Sequence, residues 1–231
     1  GTAFNGAIGS WNVARVTDMY GMFYEARAFN QPLGSWNTAA ATSMEFMFYG
    51  ATVFNQPIGA WNTARVRTMS SMFYDAATFN QPIGGWQTAA VTDMSFMFSG
   101  AAVFNQDVGN WNTAKVTTMK AMFQVASAFN GDISTWNTAN VTDMSYMFLR
   151  AAAFNQDVSG WSTANVTTME VMFNGASSFD RGLAAWSIAK VTSMRHMLGG
   201  GAHPVSSANY DAMLIAWSQQ AVRSNVVFTA G

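Results

Sequence analysis

The 231-residue chain contains no cysteine and few charged side chains. Without cysteine, a disulfide framework and thiol chemistry are excluded. Only 10% of the residues are charged, and 11 Lys and Arg nearly balance 12 Asp and Glu; an ordinary soluble domain is about 25% charged. A net charge near zero without a basic run argues against an electrostatic nucleic-acid binder.

Long apolar runs are also missing. No stretch approaches the ~20 consecutive apolar residues of a membrane-spanning helix. Residues 1–30 lack the basic start and apolar block of a signal peptide. The chain has instead many core-forming side chains, with 18 Phe, 17 Met and 9 Trp in a sequence that is 50% hydrophobic. This composition excludes intrinsic disorder.

A 25-residue repeat runs through almost the whole chain. Tryptophan recurs at this spacing from Trp11 to Trp186, and only Trp217 lies off the grid. Two methionine columns, Met19 to Met194 and Met22 to Met197, hold 16 of the 17 methionines. Eight units without an insertion indicate a repeat protein in which equivalent residues stack on one another.

The pattern within each unit predicts one short helix and one short strand. The apolar residues of one unit follow helical spacing over roughly ten residues: Val141, Met144, Met147, Phe148 and Ala151. Thr142 is the expected N-cap. The segment from Phe154 to Trp161 lacks a helical period and predicts about three to five extended residues in a parallel ladder. A bend at glycines such as Gly59 is expected to turn the tryptophans into a corner of the core.

The end of the sequence predicts a separate capping element. The grid breaks after Leu198, and the residues from Ser206 onward predict a helix followed by a strand at Val226–Phe228. We therefore divide the chain into an array, residues 1–203, and a cap, residues 204–231, which covers the last coil. Because the array begins in mid-coil at Gly1, we expect the sequence to be a fragment.

A family resemblance follows from the repeat and the tail together. The unit Trp-Asn-Thr-Ala-x-Val-Thr-x-Met-x-x-Met-Phe-x-x-Ala-x-x-Phe-Asn-x-Asp-Ile/Val is clearest in Trp111–Ile133 and Trp136–Val158. With the tail Asn209–Trp217 and Asn225–Gly231, it resembles the BspA-like surface-protein repeat, also called the Mycoplasma lipoprotein type, over almost the whole chain. The sequence departs from this pattern at a few positions: Ala41, Arg67, Gln87 and Ile188.

The resemblance implies both a fold and a location. It implies an α/β class protein, a leucine-rich-repeat-like right-handed solenoid of 25-residue coils with a C-terminal helix-strand cap. It also implies a microbial protein that is extracellular or at the cell surface, with adhesion or partner binding as the expected role.

The sequence offers little for catalysis. Its two histidines, His196 and His203, lie near the break in the array, and no acidic pair lies off the repeat grid. A nucleophile, base or metal set that converges in one cleft is therefore absent from the pattern. We expect no enzyme activity and no cofactor.

Two sets of residues suggest other site chemistry. Asp107, Asp132 and Asp157 occupy one repeat position in consecutive coils and should stack about 4.8 Å apart. They are calcium candidates, because calcium prefers several oxygen ligands; the alternative is a solvated column with mild repulsion. Asn140 and Asn165 match the glycosylation acceptor pattern, although the repeat itself generates that pattern.

An asparagine column runs from Asn5 to Asn155, where the chain leaves the predicted helix. Its amides are expected to bond one another and the turn backbone along the stack. Asp180 closes the series and adds a charge, so we expect the column to fray there.

Aromatic residues at variable positions form the candidate interface. A solenoid binds through the positions that stacking leaves variable. Tyr24, Tyr49 and Tyr74 form one such column, with Phe46 and Phe96 beside it. Exposed aromatic side chains over several repeats are typical of interface anchors. The alternative is that the rings fill grooves between coils.

Two functions stay open at this point. The chain is either a recognition module with a protein or cell-surface ligand, or a passive structural or spacer subunit assembled with other subunits. The low charge fits the second function. For both we expect no nucleic-acid partner and no membrane span in this segment.

Overall fold

The computed structural model describes residues 3–199 and 205–229. The array is a stack of 25-residue coils, each joined to the next by a parallel bridge at the same repeat position. The bridges connect these residues in order: Asp18, Ser43, Thr68, Asp93, Thr118, Asp143, Thr168 and Ser193. Equivalent residues of successive coils therefore lie above one another.

Within the described residues, the helices and strands lie at the C-terminal end. They are β1 (Ser193–Met194), α1 (Ser207–Ser218) and β2 (Val227–Phe228). β1 and β2 pair in parallel, so β2 continues the line of bridges beyond the last coil. The structure thus places a helix and a strand in the tail where the sequence predicted them. The predicted boundary between residues 203 and 204 lies outside the described residues.

The ten-residue helix predicted for each coil is wrong. The segment Met144–Ala151 forms overlapping turns instead, in which the N–H groups of Met147 and Leu149 donate to the carbonyl oxygens three residues earlier at 3.3 and 3.1 Å. The N–H groups between them point toward the next coil. The Phe148 N–H, for example, donates to the carbonyl of Met172 in that coil at 2.8 Å. The backbone groups are paired between coils rather than along a helix, which satisfies them equally well.

The alternation of turn and inter-coil bonds requires left-handed backbone at two positions in each coil. Tyr146 has φ of 61° and Arg150 has φ of 56°. In other coils glycine occupies the second of these positions, as Gly50 and Gly100 show with φ of 66° and 73°. A positive φ at the third residue of a turn is the mark of a type II turn, for which glycine is favoured.

The predicted strand between Phe154 and Trp161 is also wrong. The parallel bridges lie at Asp143 and its equivalents, within the segment predicted to be helical. The bend before the tryptophan is present, because the Trp161 N–H donates to the carbonyl of Val158 at 3.1 Å. Buried apolar residues in this segment are thus held by turns and do not need a ladder.

The core consists of side-chain columns that stack on themselves. The tryptophans from Trp36 to Trp186 are all buried, with neighbouring rings 6.3–6.4 Å apart. Each indole N–H donates to the preceding coil, as Trp61 Nε1 does to the carbonyl of Leu33 at 3.0 Å. Trp11, in the first coil, is 57% exposed. The predicted constant burial is therefore confirmed for seven tryptophans and fails for the first.

The asparagine column bonds the backbone along the stack as predicted, but the predicted amide-to-amide bonds between its asparagines are absent among the described residues. The Asn30 side-chain oxygen accepts the backbone N–H of Asn55 in the next coil at 3.0 Å. The same bond recurs between the following coils. Each of these asparagine side chains thus accepts a hydrogen bond from a backbone N–H of the next coil.

The fraying predicted at Asp180 is wrong, because this carboxylate holds the cap. It accepts hydrogen bonds from the backbone N–H and hydroxyl of Ser206, both at 2.9 Å, and from the side-chain amide of Asn209 at 2.8 Å. These bonds hold the pKa of Asp180 below its usual range. The last member of the column therefore binds the cap where the others bind a coil.

A second polar contact fixes the cap over Trp186, the last tryptophan of the array. The Gln220 side chain accepts the N–H of Ile188 and donates to the carbonyl of Trp186, both at 2.8 Å. Ile188 stands where earlier coils have a buried threonine, as at Thr163, whose hydroxyl donates to the next coil's Ser187 carbonyl. The last coil has no following coil to receive that bond, and an apolar residue faces the cap instead.

Candidate partner-binding surface

The five predicted aromatic residues come together on one surface, which we call the aromatic strip: Tyr24, Tyr49, Tyr74, Phe46 and Phe96. The rings of Tyr24 and Tyr49 are 4.7 Å apart, and those of Tyr49 and Tyr74 are 4.5 Å apart. Interplanar angles of 10° and 5° make the tyrosines a parallel ladder. Each ring follows the one below it at about the spacing of adjacent strands.

The two phenylalanines flank this ladder. Phe46 lies 5.8 Å from Tyr49, and Phe96 lies 6.4 Å from Tyr74, both in tilted arrangements. Both phenylalanines have φ of 56°, a backbone conformation that bulky side chains rarely adopt. A similar φ recurs at this position in other coils, as at Ser71 and Ala121, so it belongs to the turn of the coil and not to the aromatic strip.

Sequence reasoning missed one member of the surface. Tyr20 packs edge-on against Phe46 with ring centroids 5.3 Å apart, and it is 60% exposed. The signal was present, because Tyr20 also stands at a variable repeat position, which holds Glu45 in the next coil.

The strip is neither fully open nor buried. Tyr24 is 49% exposed, and the other four rings are half-buried. The faces of the tyrosine rings contact one another, while every residue of the strip keeps part of its surface exposed. The sequence left two hypotheses open, that the rings fill grooves between coils or that they contact a partner. This packing is compatible with both.

Carboxylates line one side of the strip. Glu25 and Asp75 lie over Gly50 and Gly100 of the following coils; a Cβ added at Gly50 would lie 2.9 Å from the Glu25 carboxylate. Burial and the charge of Glu25 raise the pKa of Asp75, while Arg27 opposes this. Arg27 forms an ion pair with Glu25 at 2.8 Å.

A second group of carboxylates lies around Glu45, which adjoins Phe46 in the sequence. Partial burial raises the pKa of Glu45, and the charges of Asp93 and Asp18 raise it further. Burial is also the main reason why the pKa of Tyr49 lies above its usual value, with smaller contributions from Tyr74 and other neighbours. The aromatic strip is therefore an apolar ladder with carboxylates near its tyrosines and beside Phe46.

The calcium candidates lie on a different surface. Asp107 and Asp132 line a cleft of about 420 Å³ together with Asn105 and Asn130, and Asp157 is not among its lining residues. Asp132 accepts the backbone N–H of Ser134 at 2.9 Å, and this bond is the main cause that lowers its pKa.

The same turn contact recurs at the other two calcium candidates. Asp107 accepts the N–H of Gly109, and Asp157 accepts that of Ser159, both at 2.9 Å. In residues 3–199 and 205–229, no group of three or more His, Cys, Asp or Glu side chains is placed to hold a metal ion. The carboxylates thus act in local turns.

The remaining candidates have structural contacts. The backbone N–H of His196 donates to the Thr229 hydroxyl at 2.7 Å, and its ring nitrogen lies 3.3 Å from that oxygen; His203 lies outside the described residues. The amide nitrogens of Asn140 and Asn165, which glycosylation would modify, donate to carbonyls of the preceding coil at 2.7 and 2.8 Å.

The cap covers an apolar pocket of about 290 Å³ against the last coil. Its lining includes Ile188, Met194, Leu214, Trp217 and Phe228. The Trp217 indole nitrogen is buried and has no hydrogen-bond partner in the described part of the chain. α1, the one helix of that part, is not long and apolar enough to cross a membrane.

Comparison with known proteins identifies a family. The family described as Mycoplasma protein of unknown function, DUF285, matches residues 1–109 and 103–210. The two consecutive matches fit the tandem repeat. No curated protein and no solved structure matches the chain.

Proposed function

The chain belongs to the DUF285 family, a repeat family of unknown function, and we propose that it is a non-catalytic scaffold that recognises a protein or cell-surface ligand. The proposal includes a BspA-like, leucine-rich-repeat-like right-handed solenoid in a microbial surface or secreted protein. The aromatic strip is its binding surface.

One observation carries this proposal: the tyrosine ladder occupies positions that the stack does not require to be aromatic. The equivalent positions of the next four coils hold Ser99, Gln124, Leu149 and Asn174. The inter-coil bonds continue unchanged there, as between Phe123 and Met147 at 2.9 Å. Partly exposed tyrosines that the fold does not need are suited to a partner, because tyrosine is enriched among binding hot spots.

A triple variant tests the proposal: Tyr24→Ser, Tyr49→Ser and Tyr74→Ser. The matched control replaces the equivalent residues of three later coils: Gln124→Ser, Leu149→Ser and Asn174→Ser. Circular dichroism and the melting temperature should stay unchanged in both variants. Each tyrosine lost from a true interface should cost about 1–3 kcal/mol of binding energy.

Binding is measured as retention of labelled surface-protein extracts on the immobilised wild type and the two variants. We expect the wild type and the control to retain the same ligands and the tyrosine variant to release them. Unfolding of the tyrosine variant would show that the rings are groove filler. Equal retention by all three proteins would place the binding surface elsewhere.

The alternative function is a passive structural or spacer subunit, which the low charge of the chain favours. Sedimentation velocity in dilute buffer separates the two functions. A monomer supports recognition of a foreign ligand. Self-association that survives the tyrosine substitutions supports the structural subunit.

A further inference from the structure

Charge is distributed unevenly along the surface that carries the aromatic strip. In the first four coils, the segments 18–25, 43–50, 68–75 and 93–100 contain five carboxylates and no Lys or Arg. The carboxylates are Asp18, Glu25, Glu45, Asp75 and Asp93. One nearby cation, Arg27, is already paired with Glu25, while Arg15, Arg65 and Arg67 lie in the same coils outside these segments. The excess of negative charge is therefore confined to the segments that carry the aromatic strip.

The same segments of the later coils carry bases. They contain Lys120, Arg150 and Arg195 next to Asp143 and Glu170. The overall net charge of −1 thus hides a separation of charge along this surface. The segments that carry the aromatic strip should therefore attract a positively charged partner.

The chain itself shows how a cation is held on this surface. The Lys120 ammonium lies over the ring of Phe96, 5.9 Å from its centroid. This distance is within the range of a cation–π contact. One member of the aromatic strip is therefore already used as a platform for a positive charge.

The equivalent platform at Phe46 has no such cation. The residue that corresponds to Lys120 is Ser70, which is buried and hydrogen-bonds Ser95 at 3.0 Å. Among the described residues, no cation of this chain lies over the Phe46 ring. Glu45 adjoins Phe46 in the sequence, and its charge is coupled to those of Asp18 and Asp93. Phe46 therefore combines an aromatic ring with uncompensated negative charge.

We propose that the aromatic strip binds an extended, arginine- or lysine-rich segment of a partner protein, with one cationic side chain over Phe46. The acidic side chains near the strip hold the other cations, and the tyrosine edges pack against their aliphatic stems. Four coils at about 4.8 Å spacing span roughly 15 Å, the length of about five extended residues. This inference rests on the proposed function and adds the chemical class of the partner.

The probe is a fluorescently labelled decapeptide of alternating arginine and glycine, with glutamate–glycine and glutamine–glycine decapeptides as references. Fluorescence anisotropy measures binding to the full chain. Only the arginine peptide should bind, and its affinity should fall about tenfold between about 50 and 300 mM salt. Absence of binding, or equal binding of the glutamine peptide, would overturn the proposal.

Two triple variants with the same change of net charge locate the site. The first neutralises the strip: Asp18→Asn, Glu45→Gln and Asp93→Asn. The second neutralises the other surface: Asp107→Asn, Asp132→Asn and Asp157→Asn. We expect the first to lose about tenfold in affinity and the second to change it less than about twofold. Equal losses would show attraction by overall charge alone.

A gain of affinity tests the ring platform. Lys120→Ser should free the ring of Phe96 for the peptide and raise the affinity about threefold. Lys115→Ser, which removes the same charge away from the rings, should raise it less. Equal effects of the two variants would exclude the aromatic contact.

The outcomes separate this inference from the proposed function. If the tyrosine variant releases its surface ligands while the arginine peptide does not bind, recognition stands and the cationic partner fails. If the peptide binds the wild type and the tyrosine variant equally, the strip is not the surface for either. The wild type could also fail to bind the peptide while it self-associates through the strip. That outcome would identify a second copy of the chain as the occupant and overturn the proposal.

Discussion

The two ends of the array carry the same repeat but differ in what lies against them. At the C-terminal end, Trp186 and Met197 are fully buried beneath the cap. The equivalent residues of the first coil, Trp11 and Met22, are 57% and 37% exposed. Burial in this protein is therefore a property of the neighbouring coil rather than of the coil's own sequence.

The backbone shows the same difference. The last coil gives its N–H groups to the cap, through the pairing of β1 with β2 and through His196 to Thr229. In the first coil, the carbonyl oxygens of Tyr20 and Met22 accept no hydrogen bond from the described residues. Substitutions of equivalent residues should therefore have effects that depend on their place in the stack.

The largest expected difference is between Met122→Asp and Met22→Asp. Met122 is fully buried, and a lone carboxylate there should cost more than about 4 kcal/mol, because a buried unpaired charge is strongly unfavourable. Thermal unfolding of this variant should split into two transitions, or the protein should not fold. Met22→Asp should cost less than about 1 kcal/mol. An unchanged melting curve for Met122→Asp would contradict the stacking at that position.

A smaller difference is expected between Trp111→Ala and Trp11→Ala. Trp111 is buried, and its indole N–H donates to the carbonyl of Ile83 at 3.1 Å. Its removal should cost about 3–5 kcal/mol, while loss of the exposed Trp11 should cost less than about 1 kcal/mol. Urea denaturation monitored by circular dichroism measures both. Similar losses would mean that position in the stack does not set stability.

The cap provides the third comparison. Asp180→Ala removes three hydrogen bonds to Ser206 and Asn209 and should lower stability by about 1 kcal/mol, since the group is partly exposed. Asp157→Ala, which leaves the cap contacts intact, is the control. Hydrogen exchange of α1 should rise only in the first variant. Equal exchange in the two variants would show that Asp180 does not hold the cap.

The same contact predicts an acid dependence. The folded-state pKa of Asp180 is lowered, so its contribution to stability is complete above the unfolded pKa of ~3.9. The contribution is lost as pH falls through the lower folded-state pKa. Protection of α1 should therefore decrease on acidification in the wild type and stay level in Asp180→Ala over that range.

The smallest effect should come from a residue whose strain lies in its own backbone. Val125 has φ of 57°, which is costly for a β-branched residue. Val125→Gly should raise stability by about 0.5 kcal/mol. Val103, equally exposed but without a positive φ, is the control, and Val103→Gly should lower stability by about 0.5–1 kcal/mol. Equal losses would remove the argument for strain.

The period of the sequence predicts the core columns, because stacked coils bury the same positions in each unit. Trp61 and Phe98 are buried as the spacing requires. The helix could not be separated from turns by periodicity, because successive turns that close over three residues also place Val141, Met144 and Met147 on one face. The distinguishing signal was glycine at one repeat position.

The candidate site could be predicted in part. The aromatic column follows from variation at Tyr24, Tyr49 and Tyr74, and the structure brings these rings together. The carboxylates beside them could not be placed, because Glu25 reaches the strip only by lying over Gly50 of the next coil. That position depends on left-handed turns, which a helical interpretation of the segment did not contain.

The inter-coil hydrogen bonds also give the stack a direction. In each coil, the N–H groups of four alternate residues point toward the following coil, as at Met119, Ala121, Phe123 and Val125, and the carbonyls that receive them point back. The N–H groups of Thr117 and Ala128 point the other way. Peptide dipoles aligned in this manner add together. Among the described coils, the negative end of the summed dipole therefore lies toward the coils that carry the tyrosines, where its field reinforces the side-chain carboxylates.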